Sequence, residues 1–150
     1  MLFLVFQLGP DRYALDARQL VEILPLLEVK RLPLAPAGVS GMLDYHGVAL
    51  PVIDLSALAL GRPAAGRIST RVLVVELANG RRLALIAERA QELLQREPGD
   101  FAETGVAVNA APYLGPVTRD ARGLVQWITP EQLLSPEVRD ALFVQMKEAA

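Results

Sequence analysis

The side chains that could support catalysis are few and poorly placed for it. His46 is the only histidine and cysteine is absent, which excludes disulfides, thiolate nucleophiles and thiolate metal sites. No second histidine completes an HxxxH or HExxH pair for zinc. Asp44 and Asp54 are interpreted as caps of turns or strand ends. We therefore predict no catalytic residue, no metal and no cofactor, and interpret His46 as a turn residue or a partner contact. The serines lack the GxSxG context of a nucleophile elbow; they are Ser40, Ser56, Ser69 and Ser135.

The stretch from Gly41 to Leu55, GMLDYHGVALPVIDL, predicts a surface for binding rather than for catalysis. Gly41 and Gly47 bracket a short polar and aromatic step, and glycine can adopt positive φ or allow close backbone approach. Pro51 cannot donate a hydrogen bond to a sheet, so it indicates a strand edge or a bulge. We therefore predict a bent strand that presents a surface of a binding module.

Composition and charge restrict the class of protein. Hydrophobic residues make up 52% and charged residues 21% of the chain, as in a folded globular protein. Its 150 residues fit a single domain, residues 1–150. A net charge of −2 gives no electrostatic attraction for nucleic acid. No apolar run approaches the roughly 20 residues that cross a bilayer, and the apolar N-terminus lacks the basic leader of a secretory signal. We expect a cytoplasmic protein that neither binds nucleic acid nor inserts into a membrane.

Apolar runs separated by turn residues predict a mainly β fold. The clearest hairpin joins Arg71–Ala78 to Arg81–Ala87 through Asn79-Gly80, the strongest short hairpin signal. No βαβ unit with a long crossover helix appears, so the pattern favours small β-barrels over a parallel sheet. Residues 61–69 are predicted to form an internal linker and residues 98–112 a loop. About eight or nine strands are expected in the rest of the chain. They include a hairpin of Leu2–Leu8 with Tyr13–Leu15, and strands at Leu26–Leu32 and Gly123–Ile128.

A short internal helix is predicted over residues 16–24, with Asp16 as its cap. Leu20 and Ile23 lie three residues apart on its apolar face, and Glu22 lies on its polar side.

Two further helix starts are predicted near the C-terminus. Residues 129–132, TPEQ, have the composition of a capping box with proline at the first helical position. Ser135 and Pro136 begin a second helix. Its apolar residues recur every fourth position and are expected to pack on the same domain; they are Val138, Leu142 and Met146.

Four segments carry a resemblance to a known family. Residues 2–24, LFLVFQLGPDRYALDARQLVEIL, contain an apolar strand ending F-x-L-G and a Y-[GA]-[IL]-D step. Residues 36–55 match P-x-x-[IV]-x-G followed by R-G-x-x-x-P-[IV]-[IV]-D-L, except for the arginine. The hairpin over residues 71–87 matches in pattern, and residues 113–115 together with 124–134, LVQWITPEQLL, are similar to a closing strand and helix. On these segments the chain resembles the CheW family, the adaptor proteins of bacterial chemosensory arrays.

The resemblance implies two interlaced five-stranded SH3-like β-barrels with a short internal helix and a C-terminal helix. The N-terminal strand is then expected to pair with the C-terminal half. The resemblance also implies a non-enzymatic adaptor without a cofactor. Such a protein couples the cytoplasmic tip of a methyl-accepting chemoreceptor to the regulatory domain of a CheA-type histidine kinase, and is recruited to membrane-associated receptor arrays.

The family positions also imply a set of partner-binding residues. Leu20 and Ile23 correspond to apolar residues near the receptor groove between the barrels, and Glu22 corresponds to a glutamate tied to partner binding. Gly41 and Gly47 correspond to backbone positions that shape this surface. His46 completes the set, at the place of the family arginine.

Departures from the family pattern indicate a divergent or dedicated paralogue. His46 replaces an arginine, and a mostly neutral imidazole is not equivalent to a fixed guanidinium charge. Residues 87–93, AERAQEL, replace V-D-G-V-x-D-V, so Arg89 occupies a position usually held by glycine. Pro116 stands where another glycine is expected.

Two alternatives are compatible with these observations. The chain could be the same module detached from a kinase regulatory domain or from an adaptor fused to a receiver, or it could be a small β-barrel enzyme. The start at the first strand and the lack of room for a receiver favour a stand-alone adaptor.

Overall fold

The fold is described for residues 1–104 and 111–149 of a computed structural model, with the side chains of the last helix described as far as Val144. Three short 3₁₀ turns lie at Ala17–Gln19, Pro98–Asp100 and Pro130–Gln132. The strands and α-helices are β1 Leu2–Leu8, β2 Asp11–Asp16, β3 Leu20–Pro25, β4 Val39–Tyr45, β5 Val48–Asp54, α1 Leu55–Leu60, β6 Arg71–Glu76, β7 Arg82–Gln95, β8 Leu114–Asp120, β9 Gly123–Ile128 and α2 Pro136–Ala149.

Two sets of five strands share β7. The first half of β7 lies between β6 and β5, with β3 beyond β6 and β4 beyond β5. The second half of β7 pairs with β1, which continues to β2, β9 and β8. Two single bridges complete the pairing. Lys30, in the segment after β3, pairs with Met42 of β4, and Ala102, in the segment after β7, pairs with Val117 of β8. The prediction of a mainly β fold is confirmed.

Both predicted hairpins are present. β1 pairs antiparallel with β2, and β6 pairs antiparallel with β7 across the Asn79-Gly80 turn, where Gly80 has φ of 85°. β7 continues past the predicted end at Ala87 to Gln95. Its register against β1 shifts beside Arg89, a residue with positive φ of 51°. This bulge divides β7 into the halves that serve the two sheets.

The predicted helix over residues 16–24 is wrong. Asp16 does cap a turn, since its carboxylate accepts a hydrogen bond from the Arg18 N–H at 2.9 Å, but this turn is a 3₁₀ helix of 3 residues. The chain then forms β3, which pairs with β6. Val21 and Ile23 are β-branched and favour a strand over a helix. Pairing with the buried β6 therefore prevails over the helical spacing of the apolar residues.

The segment from Gly41 to Leu55 is a hairpin and not a single bent strand. β4 and β5 pair antiparallel, and the chain reverses at His46 and Gly47. The helix α1, which sequence patterns did not predict, follows directly. The Asp54 carboxylate caps it by accepting hydrogen bonds from the N–H groups of Ser56 and Ala57 at 3.0 and 3.1 Å.

Two other predicted elements are absent from the described residues. Residues 26–32 form no strand, and only Lys30 bridges to β4. Residues 130–132 form a 3₁₀ turn without a side-chain cap from Thr129, so the capping box does not start an α-helix. The second C-terminal helix is confirmed as α2. Leu142 is buried in the main core, as predicted. The side chain of Met146 and part of the predicted loop, residues 105–110, are not described.

The core follows the two-sheet arrangement. A large cluster of apolar side chains includes Phe6, Leu15 and Leu85 and is closed by Leu142 of α2. A smaller cluster surrounds Phe3, whose ring lies edge-on to Trp127 with 4.9 Å between centroids. The large cluster contains Val39 and Ile53 of the β4–β5 hairpin and packs against Leu20 of β3. Most of the predicted binding residues lie on these elements.

Candidate partner-binding surface

Strand β3 and the β4–β5 turn meet at Glu22. The Tyr45 hydroxyl donates a hydrogen bond to Glu22 Oε1 at 2.6 Å. His46 Nε2 lies 4.0 Å from the same oxygen. The structure therefore brings together Glu22 and His46, which lie 24 positions apart in the sequence. We call Glu22, Tyr45 and His46 the Glu22 cluster.

The tip of the β4–β5 hairpin is a tight turn built by its own residues. His46 and Gly47 have φ of 52° and 84°, the left-handed pair that two-residue hairpin turns require. Histidine is among the residues that adopt this conformation more readily than most. The Asp44 carboxylate accepts a hydrogen bond from the Gly47 N–H at 2.9 Å. The imidazole is consequently exposed, with 78% of its side-chain surface accessible.

Tyr45 is the residue of the cluster that sequence reasoning did not single out. Its ring is half-buried and meets the His46 ring edge-on at 4.5 Å between centroids. The hydrogen bond to Glu22 raises the pKa of the Tyr45 hydroxyl above its ordinary value. The hydroxyl thereby acts as a donor that orients the Glu22 carboxylate. An aromatic residue directly before a predicted turn was the available signal.

Apolar side chains on β3 and beyond it form an exposed strip. Ile23, one of the predicted residues, is 41% exposed, whereas Leu20 is half-buried and packs against the main core. Among the described strands, β3 pairs only with β6, which leaves its other edge free. Such an edge, combined with apolar side chains, is typical of a protein-binding surface. We define the β3 strip as Val21, Ile23, Leu26 and Leu27, each about 40% exposed.

Gly41 lies beneath this surface rather than on it. It is buried, with φ of 148°. A Cβ at this position would overlap the carbonyl oxygen of Lys30 and come within 2.8 Å of the Lys30 carbonyl carbon. The absence of a side chain allows Lys30 and Met42 to exchange two backbone hydrogen bonds, of 3.0 and 2.8 Å. Gly41 therefore fixes the hairpin to the segment that follows β3.

An apolar groove adjoins the hairpin tip, and Tyr45, His46 and Gly47 are among its lining residues. It has a volume of about 650 Å³ and is bounded by β5, the β6–β7 turn and α2. Arg81 lies over the Phe143 ring, 4.8 Å from its centroid, and binds Asp140 at 3.0 Å. These contacts hold α2 as one wall of the groove.

The described part of the chain contains neither a candidate metal-binding cluster nor a candidate membrane-spanning helix. No group of three or more histidine, cysteine, aspartate or glutamate side chains there could hold a metal ion. None of the helices described has the length and apolar character needed to span a membrane.

Comparison with known proteins identifies the family. A model of the CheW-like domain matches residues 2–138. The chain belongs to the CheW-like domain family. A chemotaxis protein CheW from Rhizobium meliloti (strain 1021) is 27% identical over 101 residues, which are 67% of this chain and 64% of that relative. The scaffolding protein TtCheW from Thermoanaerobacter tengcongensis has a crystal structure similar in fold. Its TM-score is 0.78 at 20% identity, over 88% of this chain and 86% of that one.

The CheW-like fold places the six predicted binding residues in different environments. Glu22 and His46 are in the Glu22 cluster, and Gly47 completes the turn beside it. Ile23 is exposed on the β3 strip, while Leu20 and Gly41 support these groups from below. In this CheW-like domain His46 already faces an acidic side chain of its own chain, Glu22.

Proposed function

We propose that this chain is a non-enzymatic adaptor that couples a chemoreceptor to a CheA-type histidine kinase. Residues 1–150 act as one CheW-like domain, in the cytoplasm and at membrane-associated receptor arrays. The observation that carries this proposal is the family match over residues 2–138, which spans all nine described strands. The name of the curated relative, a chemotaxis protein, supports the pathway.

Two exposed surfaces provide what an adaptor requires. The β3 strip and the Glu22 cluster both lie at β3, and we assign them to one partner, which would meet exposed apolar side chains, a carboxylate and an imidazole. The groove between β5, the β6–β7 turn and α2 forms a second one, which adjoins the first at Tyr45, His46 and Gly47. We assign the receptor tip to the first surface, because the predicted binding residues are Leu20, Glu22, Ile23, Gly41, His46 and Gly47. The kinase regulatory domain then binds elsewhere on the molecule.

Simultaneous binding of both partners is the direct test of this function. We expect the purified chain to form a ternary complex with the receptor cytoplasmic tip and the kinase regulatory domain from the same cell. The expected result in size-exclusion chromatography is one peak that contains all three proteins. A mixture without the chain is the control and should give no receptor–kinase complex. Displacement of one partner by the other would contradict the adaptor function.

Replacement of Glu22 by glutamine tests the assignment of the receptor surface. The neutral amide retains the shape but removes the charge, so we expect receptor affinity to fall about three- to tenfold, since hydrogen bonds to charged groups are the stronger ones. Affinity for the kinase should not change. Glu103→Gln is the matched control, because Glu103 is exposed, lies beyond β7 and away from the β3 strip in the sequence, and forms no ion pair among the described residues. Equal effects of both variants on receptor affinity, measured by isothermal titration, would refute the assignment.

A further inference from the structure

A polar pocket lies apart from both proposed surfaces. It has a volume of about 340 Å³ and is formed where the β1–β2 turn, the loop after α1 and the bulge of β7 meet. Arg62, Arg67 and Arg89 line it from the last two of these segments. It shares no residue with the Glu22 cluster, the β3 strip or the apolar groove. Any ligand of this pocket would therefore make a separate contact.

The charge of this pocket is not balanced within the described part of the molecule. Its three arginines are exposed, and none of them forms an ion pair with a described residue. Five other arginines do bind carboxylates: Arg12, Arg18, Arg81, Arg82 and Arg122. One carboxylate, Glu88, also lines the pocket, but the Ser56 hydroxyl donates a hydrogen bond to it at 2.7 Å. Three positive charges and one negative charge leave an excess of two positive charges in a chain whose net charge is −2.

The backbone positions one of the arginines, Arg89, at some cost. Arg89 adopts φ of 51° at the β7 bulge, in the left-handed region that a non-glycine residue adopts only with strain. Bulges of this kind re-aim side chains. On the facing wall, a methyl group added at Gly9 would lie 3.9 Å from an Nη atom of Arg62, so this guanidinium lies over the β1–β2 turn.

We propose that this arginine pocket binds an acidic segment of a partner protein through the carboxylates of that segment. A guanidinium matches a carboxylate in a bidentate geometry, and separate arginines on separate loops suit carboxylates that are spaced along a chain. An apolar side chain lies beside the pocket, as in protein interfaces where arginine is enriched: Leu60 is 40% exposed, and a methyl group added at Gly9 would lie 3.6 Å from it. No aromatic residue lines the pocket to stack on a nucleic-acid base.

The test uses the full chain and a fluorescent glutamate-rich peptide at low salt. Single replacement of Arg62, Arg67 or Arg89 by glutamine is expected to weaken peptide binding about two- to fivefold, as for exposed ion pairs, and the triple replacement to abolish it. Arg119→Gln is the matched control, because Arg119 is exposed and forms no ion pair with a described residue. It should bind the peptide like the wild type.

The Arg89→Gly variant separates binding from folding. Glycine adopts positive φ without strain, so this variant should retain the unfolding temperature of the wild type and yet bind the peptide as weakly as Arg89→Gln. Equal weakening by Arg119→Gln would show only general charge attraction and would overturn the proposal. Competition by inorganic phosphate at concentrations where free glutamate has no effect would assign the pocket to phosphate instead. Arginine-dependent binding to vesicles containing phosphatidylglycerol, without binding to the peptide, would assign it to a membrane surface.

Discussion

Replacement of Gly41 by alanine is expected to lower the free energy of unfolding by about 3 kcal/mol or more, because backbone strain and broken hydrogen bonds add up at this site. The new Cβ would overlap the Lys30 carbonyl group, which is backbone and cannot rotate away. Both hydrogen bonds between Lys30 and Met42 would have to lengthen or break. Urea denaturation followed by circular dichroism measures the change.

A matched glycine separates steric overlap from backbone strain. Gly80 also has positive φ, 85°, but a Cβ there would meet no atom within 4 Å. Gly80→Ala should therefore cost about 1 kcal/mol, the price of positive φ alone. If the two alanine variants lose equal stability, the close approach of Lys30 is not what requires glycine at position 41.

Replacement of Arg12 by methionine is expected to lower the free energy of unfolding by about 2 to 4 kcal/mol, since it leaves two partly buried carboxylates without their partner. Arg12 is 8% exposed and binds Asp120 through both of its Nη atoms, at 2.7 and 2.8 Å, and Glu92 at 2.8 Å. These contacts join β2 and β7 to the residue that ends β8.

Arg122→Met is the matched control. Arg122 binds Glu92 at 3.0 Å, but its side chain is 59% exposed, so a loss of at most about 0.5 kcal/mol is expected.

The same ion pair predicts the response of the wild type to acid. The hydrogen bond from Arg12 lowers the pKa of Asp120 to about 2. A carboxyl group whose pKa is lower in the folded state stabilises that state above its unfolded pKa, near 4, and the stabilisation disappears as the pH falls towards 2. The wild type should thus lose about 1 to 2 kcal/mol through this group between pH 5 and pH 2, after allowance for solvent screening. Arg12→Met should lose less over the same interval, and a parallel loss in both proteins would show that Asp120 is not the group responsible.

Local signals in the sequence were sufficient to predict some of the strands and turns. Asn79-Gly80 between two apolar runs predicted the β6–β7 hairpin, and the turn after Leu8 predicted β1 with β2. These contacts connect residues close in the chain, so turn chemistry decides them. The family resemblance, carried mostly by the first 60 residues, predicted the mainly β fold and the CheW-like family correctly.

Local signals in the sequence could not predict which strands pair when they are far apart in the chain. Leu20 and Ile23 have the spacing of a helical face, and only the presence of β6 alongside makes them part of a strand. The parallel pairing of Val52 with Ala84, and of Arg12 with Val125, has no local signature either. For the binding surface, the sequence suggested Glu22 and His46 individually. Their proximity depends on how β3 and the β4–β5 hairpin fold together, which also explains why Tyr45 was overlooked.

The sharing of β7 between both sheets has a consequence for synthesis on the ribosome. The first sheet lacks its central strand until residue 87 has been made, although β3, β4 and β5 are complete by residue 54. β1 gains its second neighbour only with residues 88–95, and β2 gains β9 only after residue 128. The apolar strand β1 therefore emerges with an open edge, the kind of edge that promotes aggregation. We expect the nascent chain to fold late, as one unit, and to depend on protection of its first strand until then.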